Sequence, residues 1–317
     1  MAGRAVVTGG AGFIGSHLCE RLVAEGHRVL VVDNLVAGSQ RLGFLEALGI
    51  PIERLDVRDP AAGELIHSFR PDVVFHLAAQ IDVRRSVADP VYDAQVNVVG
   101  TLRVLEAAAR TGARVLFASS GGTIYGEVDP RMLPVTEDAS GRPTSPYGIN
   151  KRVSEDYLRF YRDTGGLAFV SLALANVYGP RQDPHGEAGV VAIFSMRLLR
   201  GEPCVIYGDG AQSRDFVYVG DVVEAFLAAV GRGEGETVNI GTGVETSVLE
   251  LYRAMAGLCA LDRPPLHAPG RPGELRRSCL DVSKAHRVLG WKPATGLQEG
   301  LALTIDSFRG ASSPSTG

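Results

Sequence analysis

The chain has 317 residues, of which 45% are hydrophobic, and a formal net charge of −4 at pH 7. This length allows one large or two modest domains, and without a basic block the chain is not expected to bind nucleic acid. The four cysteines show no metal-site spacing and are too few for a disulfide scaffold, so we expect reduced thiols. With no leader and no apolar run long enough to span a bilayer, a cytoplasmic protein that does not bind membranes is expected.

The chain begins with a pattern typical of a strand, a tight turn and a helix. Apolar residues 5–7 precede glycines at positions 9, 12 and 15, and helical periodicity follows. Glycines at this spacing let the backbone approach a pyrophosphate, which the first N–H groups of the helix can bind. A second apolar run ends in Asp33, whose carboxylate can accept hydrogen bonds from a ribose diol. The pattern therefore predicts dinucleotide binding rather than a merely structural turn.

Strands and helices then alternate through the first half of the chain. Apolar runs predict further strands over 51–55, 72–79, 114–118 and 167–174. Helical periodicity predicts a long helix over 87–111, interrupted near Gly100, and another from about 147 to 164. Such alternation predicts an α/β fold of the Rossmann type, a doubly wound parallel sheet with right-handed crossovers. Ligands bind at the carboxyl ends of such strands, which places Asp33, Asp56, 78–80 and 119–123 on one rim.

The pattern changes beyond residue 178, where glycine and proline interrupt 179–189. Short strands near 204–207 and 215–219 are predicted among helices near 190–200, 221–230, 246–260, 283–289 and 297–308. We therefore expect a dinucleotide-binding domain over 1–178 and a smaller substrate lobe over 179–309 that is interleaved with it. Residues 310–317 are small and polar and are expected to form a disordered tail.

Tyr147 and Lys151 lie four residues apart on a predicted helix and therefore share one face. A phenol near its usual pKa of about 10 is a poor base at neutral pH, and a neighbouring ammonium favours the phenolate. Beside a nicotinamide, such a pair would exchange a proton with a hydroxyl that gains or loses a hydride. Alone the spacing is common in surface packing, but with the glycine turn and Asp33 it favours catalysis.

Several motifs together resemble the extended short-chain dehydrogenase/reductase family, and within it the nucleotide-sugar epimerases. The resemblance extends over about residues 3–308. Its motifs occur in the family's order at 9–15, 33–34, 76–79, 119–120 with 125–126, 147 with 151, 176–180 and 214–217.

The resemblance implies a bound NAD. Its pyrophosphate would lie on the glycine turn, its adenosine ribose on Asp33 and its adenine near Asp56, and an acid at 33 would repel the 2′-phosphate of NADP. The implied cofactor-binding residues are Gly9, Gly12, Phe13, Ile14, Gly15, Asp33, Asn34, Asp56, Val57, Leu77, Ala78, Ala79, Gln80, Asn97, Tyr147 and Lys151. No metal is expected.

The resemblance also implies 4-epimerisation of a UDP-hexose. Tyr147 would take the proton of the sugar 4-hydroxyl while hydride passes to the nicotinamide, and hydride would return to the opposite face of the 4-keto sugar. Lys151 would lower the pKa of Tyr147 and hold the nicotinamide ribose. The implied substrate-binding residues are Asn176, Val191, Tyr207, Arg214, Arg271, Glu274 and Ser278. Two helices of each subunit, over about 87–111 and 147–164, would form the four-helix bundle of a homodimer.

Three positions depart from the family pattern. The usual catalytic Ser or Thr falls on Gly121, so that Ser120 or Thr123 is expected to supply the hydroxyl. The segment before Asn176 is Ala-Leu-Ala, where an Arg and an aromatic are common. The position that screens the sugar 2-position is the small Ser278, which leaves room for an N-acetyl group as in UDP-GlcNAc or UDP-GalNAc.

Three other functions are compatible with the sequence. A nucleotide-sugar 4,6-dehydratase commonly needs an Asp-Glu pair where this chain has Gly122 and Thr123. A UDP-glucuronate 4-epimerase would use the same scaffold. A non-catalytic NAD-binding sensor tends to lose the Tyr–Lys pair, which this chain keeps.

Overall fold

The structure is a computed structural model that describes residues 3–36, 41–185, 189–271 and 275–312. One predicted substrate residue, Glu274, and the last five residues of the expected tail lie outside these ranges.

Seven strands of the described part form one sheet in which every neighbouring pair is parallel. In chain order the strands are β1 (Arg4–Thr8), β2 (Arg28–Asp33), β3 (Ile52–Arg54), β4 (Val73–His76), β5 (Arg114–Ser120), β6 (Phe169–Leu174), β7 (Asn176–Tyr178), β8 (Val205–Tyr207), β9 (Ser213–Tyr218), β10 (Glu236–Ile240), β11 (Glu245–Ser247) and β12 (Leu266–Ala268). The order in the large sheet is β10-β6-β5-β4-β1-β2-β3. The chain reverses its direction of progress between β1 and β4, which is where ligands bind in doubly wound sheets.

Helices cover both faces of this sheet. In chain order they are α1 (Phe13–Ala24), α2 (Leu42–Ala47), α3 (Pro60–Phe69), α4 (Val83–Ala88), α5 (Pro90–Ala94), α6 (Gly100–Thr111), α7 (Pro146–Gly165), α8 (Val190–Leu199), α9 (Val219–Ala229), α10 (Val248–Leu258), α11 (Ser283–Leu289) and α12 (Leu297–Ser312). A π-helical turn, Gln95–Val99, joins α5 to α6. The predicted fold class is confirmed.

The core has two main layers because side chains alternate along the strands. On β1, Ala5 and Val7 pack in one layer with residues of α1, α9 and α11, whereas Val6 packs in the other with residues of α3, α6 and α7. Strands buried on both faces read as continuous apolar runs, which is why the sequence located most of them.

The later part of the chain builds a smaller lobe and also returns to the large sheet. The lobe has its own apolar core, in which Phe194, Tyr252 and Met255 are almost fully buried. β10 then joins the large sheet beside β6. The sequence analysis did not predict β10. The domain boundary at 178 stays a prediction.

Two expected boundaries are wrong. The long helix predicted over 87–111 is broken at Asp89 and Pro90, because proline supplies no N–H, and again by the π-helical turn. The interruption expected near Gly100 is confirmed as the π-helical turn, which ends at Val99; Gly100 itself begins α6, where a Cβ would lie 2.7 Å from Val57. Residues 310–312 belong to α12 rather than to a tail. No helix of the described ranges is long and apolar enough to cross a membrane.

Candidate active site

The glycine-rich turn joins β1 to α1 and packs against the segment after β4. Gly9 has a φ of +72°, and a Cβ on it would lie 2.7 Å from the backbone nitrogen of Ala78. A Cβ on Gly15 would collide with the carbonyl oxygen of Gly9. Only glycine tolerates both the positive φ and this close approach, so the spacing has the tight turn that it predicts.

Helix α1 begins without a capping side chain. Its N-cap is Gly12, and its first turn holds no acidic residue. Asp or Ser side chains cap α3, α4, α5, α7 and α10, whereas α2, α8, α9 and α11 begin without a side-chain cap, as α1 does. Since the first N–H groups of a helix have no intrahelical acceptor, the half-exposed residues Phe13 and Ile14 present donors that suit a pyrophosphate.

Two carboxylates stand at the ends of neighbouring strands, beside this turn. Asp33 accepts hydrogen bonds from the backbone N–H groups of Ala11 at 3.0 Å and Leu35 at 2.8 Å, and burial raises its pKa. Asp56 is bonded to Asn34 at 3.0 Å and to Arg58, whose guanidinium lowers the pKa of Asp56 to about 2. The turn, the uncapped helix and these acceptors fit the pyrophosphate and adenosine ribose of NAD.

The other predicted cofactor residues line the same rim or lie below it. Leu77, Ala78 and Ala79 are half-buried beside the glycine turn, whereas the Val57 side chain is in the core. Gln80 and Asn97 bond to each other. The Gln80 N–H donates to Asn97 Oδ1 at 3.0 Å, and Asn97 Nδ2 donates to the Gln80 carbonyl at 2.9 Å. Their contact with the cofactor stays a prediction, while the observed bonds give them a structural role.

Tyr147 lies in the first turn of α7, behind the N-cap Ser145. Its backbone N–H donates to the Ser86 hydroxyl at 3.2 Å, and its side chain is buried. Burial raises the pKa of Tyr147 to about 12, hydrogen bonding with the Ser120 side chain lowers it, and the negative charge of Asp93 raises it.

Lys151 lies one turn further along α7 and is 3% exposed. Its Nζ donates to the Ala118 carbonyl at 2.8 Å and lies 4.6 Å from the centre of the Phe117 ring. Burial lowers the pKa of Lys151 to about 8. The Lys151 ammonium is directed at Ala118 and lies 5.9 Å from the centre of the Tyr147 ring, and the lowering of the Tyr147 pKa by Lys151 stays a prediction.

Ser120 and Thr123, the two hydroxyls expected to complete the catalytic set, have different partners. Ser120 bonds with Tyr147, whereas the Thr123 hydroxyl donates to the Ser120 carbonyl at 3.4 Å. A side chain at Gly121 would meet Leu280 at 2.5 Å and the Ala173 carbonyl at 3.0 Å. The serine that the family pattern puts at position 121 would therefore require the Leu280 side chain to move.

The predicted substrate residues fall into separate groups. Asn176 is exposed beside the loop after β5, and a Cβ on Gly122 would lie 3.8 Å from its amide oxygen. Arg271 lies 3.9 Å over the ring of Tyr207, and its hydrogen bond lowers the pKa of that phenol.

Arg214 and Ser278 meet at one backbone carbonyl, that of Ser213. Arg214 Nη1 donates to it at 2.8 Å and the Ser278 N–H at 3.2 Å. Val191 is 1% exposed in the core of the small lobe, so its side chain does not reach an open site.

Some residues at the site were missed by the sequence analysis. Arg41 is 6% exposed and donates to the carbonyls of Ala11, in the glycine turn, and Arg181. Asp93 is fully buried, accepts a hydrogen bond from Asn150 beside Lys151, and its negative charge acts on Tyr147 and Lys151. The four-residue spacing between Asp93 and Asn97 was the available signal, because it puts both polar side chains on one face. Among the described residues, no cluster of His, Cys, Asp and Glu could hold a metal ion.

Comparison with known proteins gives a consistent result. Residues 5–241 match the NAD dependent epimerase/dehydratase family. The chain is 50% identical to the UDP-glucose 4-epimerase of Mycolicibacterium smegmatis, over 98% of this chain and 99% of that protein.

Two solved structures are similar over nearly the whole chain. The UDP-glucose 4-epimerase of Thermotoga maritima, solved with UDP-glucose, has a TM-score of 0.94 and 46% identity, covering 97% of this chain and 99% of that one. The UDP-glucose 4-epimerase of Thermus thermophilus, in complex with NAD, has a TM-score of 0.89 and 46% identity at the same coverage.

Proposed function

This chain belongs to the NAD-dependent epimerase/dehydratase family, and we infer that it interconverts the C4 epimers of a UDP-hexose, UDP-galactose and UDP-glucose, with NAD as cofactor. The observation that carries this inference is the placement of Tyr147. Its buried phenol is bonded with Ser120 and has Lys151 one turn away, at the rim that also holds the uncapped end of α1.

The residues of this site suit a proton that leaves and returns at one hydroxyl. NAD, when bound, supplies the group that takes a hydride from the sugar C4 and gives it back. Tyr147 accepts the proton of the 4-hydroxyl as the 4-keto sugar forms, and returns it when the sugar is reduced on its other face. Ser120 bonds with the phenol, and the Lys151 ammonium adds a positive charge nearby.

The nucleotide part of the substrate requires cations and an aromatic face. Arg214 and Arg271 would neutralise the diphosphate, and Tyr207, stacked under Arg271, would border the same site. The small Ser278 beside Arg214 would leave space at the sugar 2-position, so UDP-GlcNAc and UDP-GalNAc are proposed as further substrates.

The first experiment incubates the purified protein, without added cofactor, with UDP-galactose, UDP-GalNAc and UDP-glucuronate in separate reactions. Chromatography should show UDP-glucose from the first and UDP-GlcNAc from the second. If only UDP-glucuronate were converted, the substrate would be a UDP-uronate rather than UDP-galactose. A 4-keto-6-deoxy sugar as product would identify a dehydratase. No conversion even with added NAD would overturn the proposal.

A homodimer is proposed from two apolar stripes on adjoining helices. Val91 and Val99 are exposed on α5 and the π-helical turn, and Ile149 and Phe160 are exposed on α7. Between them lies an open cleft of about 490 Å³ with mainly apolar walls. Contiguous exposed apolar surface of this kind is typical of protein interfaces, and a twofold axis would pack these helices against their copies.

A cytoplasmic location is also proposed. Cys19, Cys204, Cys259 and Cys279 are all free thiols, and all but Cys259 are buried. Unpaired thiols are typical of a reducing compartment.

A further inference from the structure

Asp93 is a fully buried carboxylate that the reaction as described does not use. It lies on α5 with 0% of its surface exposed. A carboxylate in such a place is costly unless its charge is compensated, so its retention needs a physical reason.

The hydrogen bonds to this carboxylate come from the amide side chains of three different segments. Oδ1 accepts from Gln80 Nε2 at 2.7 Å and from Asn97 Nδ2 at 3.0 Å. Oδ2 accepts from Asn150 Nδ2 at 2.7 Å. Gln80 follows β4, Asn97 belongs to the π-helical turn, and Asn150 is the residue before Lys151 on α7. Neutral amides stabilise the charge without cancelling it, so its field extends to nearby groups.

The charged and titratable groups around Lys151 come from three elements. Asp93 on α5 is the stronger of two carboxylates that favour its charged form, and Glu155, one turn further along α7, is the other. The Glu155 carboxylate accepts a hydrogen bond from the Ser171 hydroxyl at 2.9 Å. His76 on β4 also faces Lys151 but is neutral, since burial lowers its pKa to about 3, and Tyr147 is the remaining neighbour.

We propose that Asp93 is a positioning residue of this site, whose amide-held negative charge keeps the Lys151 ammonium charged and ties α7 to the loop after β4. The inference deepens the proposed function and rests on it, because it makes Asp93 part of the same reaction. The π-helical turn has a role in this arrangement. It brings Asn97 to both Gln80 and Asp93, and π-helical turns are frequent at functional sites.

The test measures the protonation of Lys151 directly. The chain has only three lysines, Lys151, Lys284 and Lys292. Protein labelled with ¹³C at lysine Cε should therefore give three NMR signals, which Lys284→Arg and Lys292→Arg assign. Titration of the protein as purified should show Lys151 ionising at a lower pH than the other two.

Asp93→Asn keeps the shape of the side chain and removes its charge. We expect the Lys151 titration to move down by about one pH unit, a tenfold loss of proton affinity, because an opposite charge no longer favours the ammonium. The alkaline limb of kcat against pH should move down with it. Asp93→Ser removes the same charge and leaves room for water. This variant replaces Asp93→Asn in the titration if Asp93→Asn does not fold.

Asp221→Asn is the matched control. Asp221 is also a buried carboxylate held by neutral donors, the N–H and hydroxyl of Thr295, but it lies on α9. Asp221→Asn should leave the pH at which Lys151 titrates unchanged from the wild type. An equal titration in the Asp93 variants and the wild type, or an equal shift in the control, would overturn the proposal. The NMR result does not depend on turnover, so a wild type that converts no UDP-sugar would refute the proposed function alone.

Discussion

Arginine supplies nearly all the cations of this chain, since only three of its 32 Lys and Arg residues are lysines. One of the three is Lys151, which is buried with its Nζ on a carbonyl. A compact ammonium can shift its pKa on burial, whereas a guanidinium stays charged and needs a planar set of acceptors. A lysine at position 151 therefore supplies properties that an arginine there would not.

Removing the Tyr147 hydroxyl should abolish proton transfer at the sugar. We expect Tyr147→Phe to lower kcat for UDP-galactose about a thousandfold, within the range of general acid–base catalysis, while the fold is kept. Stopped assays read by chromatography measure the rate, and circular dichroism checks the fold.

The control for this variant is Tyr125→Phe. Tyr125 is also buried, but its hydroxyl donates to Asn239 at 2.7 Å rather than facing the proposed substrate. Its loss should cost about 1 kcal/mol of stability and leave kcat within a fewfold of the wild type. A Tyr147→Phe protein as active as this control would refute the proton-transfer role.

The buried ammonium should make the site less stable than it could be. The pKa of Lys151 is about 8 in the folded protein, below its ordinary 10.5, so folding disfavours its charged form. Lys151→Met should raise the free energy of unfolding by about 1–3 kcal/mol below pH 8, because about 1.4 kcal/mol corresponds to each unit of pKa difference and the bond to Ala118 is lost.

The pH dependence gives the sign of this effect. Between pH 8 and 10.5 the lysine is protonated in the unfolded chain but has lost its proton in the folded protein. The free energy of unfolding of the wild type therefore rises with pH relative to that of the variant. The advantage of Lys151→Met should therefore disappear across this window. Urea unfolding at pH 7 and pH 10 measures it, and an advantage that stays constant would contradict the buried-charge explanation.

At the scale of elements, the start of α1 combines a tight turn with an uncapped N-terminus. Gly15→Ala would put a methyl group against the Gly9 carbonyl and displace the N–H groups that the pyrophosphate needs. We expect the variant to be purified without NAD and to lose activity, with a stability loss of about 1–3 kcal/mol. The absorbance of the cofactor released on denaturation measures the bound NAD, and thermal unfolding measures the stability.

Gly63→Ala is the control because Gly63 lies inside α3, where a Cβ would have only an ordinary contact at 3.6 Å. Alanine favours a helix over glycine by about 0.8–1.0 kcal/mol, so this variant should be at least as stable as the wild type and keep its NAD. If Gly15→Ala retained as much NAD as this control, the pyrophosphate would not bind at the turn.

The elements that the sequence predicted well are those whose signal is local. Strands buried on both faces appear as apolar runs, and the Tyr147 helix has its cap Ser145 and its periodicity in one stretch. β10 was missed because its first residues, Glu236 and Thr237, are only half-buried at the sheet edge and break the apolar run. The break between α4 and α5 was missed, although Pro90 was the available signal for it.

At the scale of the whole molecule, the part of the site that could not be predicted is the part held together by distant residues. Tyr147, Lys151 and Asp33 belong to motifs with fixed spacing, so the sequence identified them as candidates. Asp93 acquires its environment from Gln80 and Asn150, which are brought to it by β4 and α7. A carboxylate on a predicted helix is by default solvated, and only the tertiary structure shows that this one is buried.

The assembly offers the last test. On α7, Ile149, Val153, Tyr157 and Phe160 are three or four residues apart and so share one face, beside exposed Val91 and Val99. We expect the wild type to have twice the mass of its 33.6 kDa chain by light scattering at micromolar concentration. Val91→Glu with Ile149→Glu should halve that mass, because burying two carboxylates without partners outweighs the apolar contact. Leu303→Glu, at an exposed apolar position on α12, should leave the mass unchanged. A monomeric wild type, or a double variant that stays dimeric, would show that these helices are not the interface.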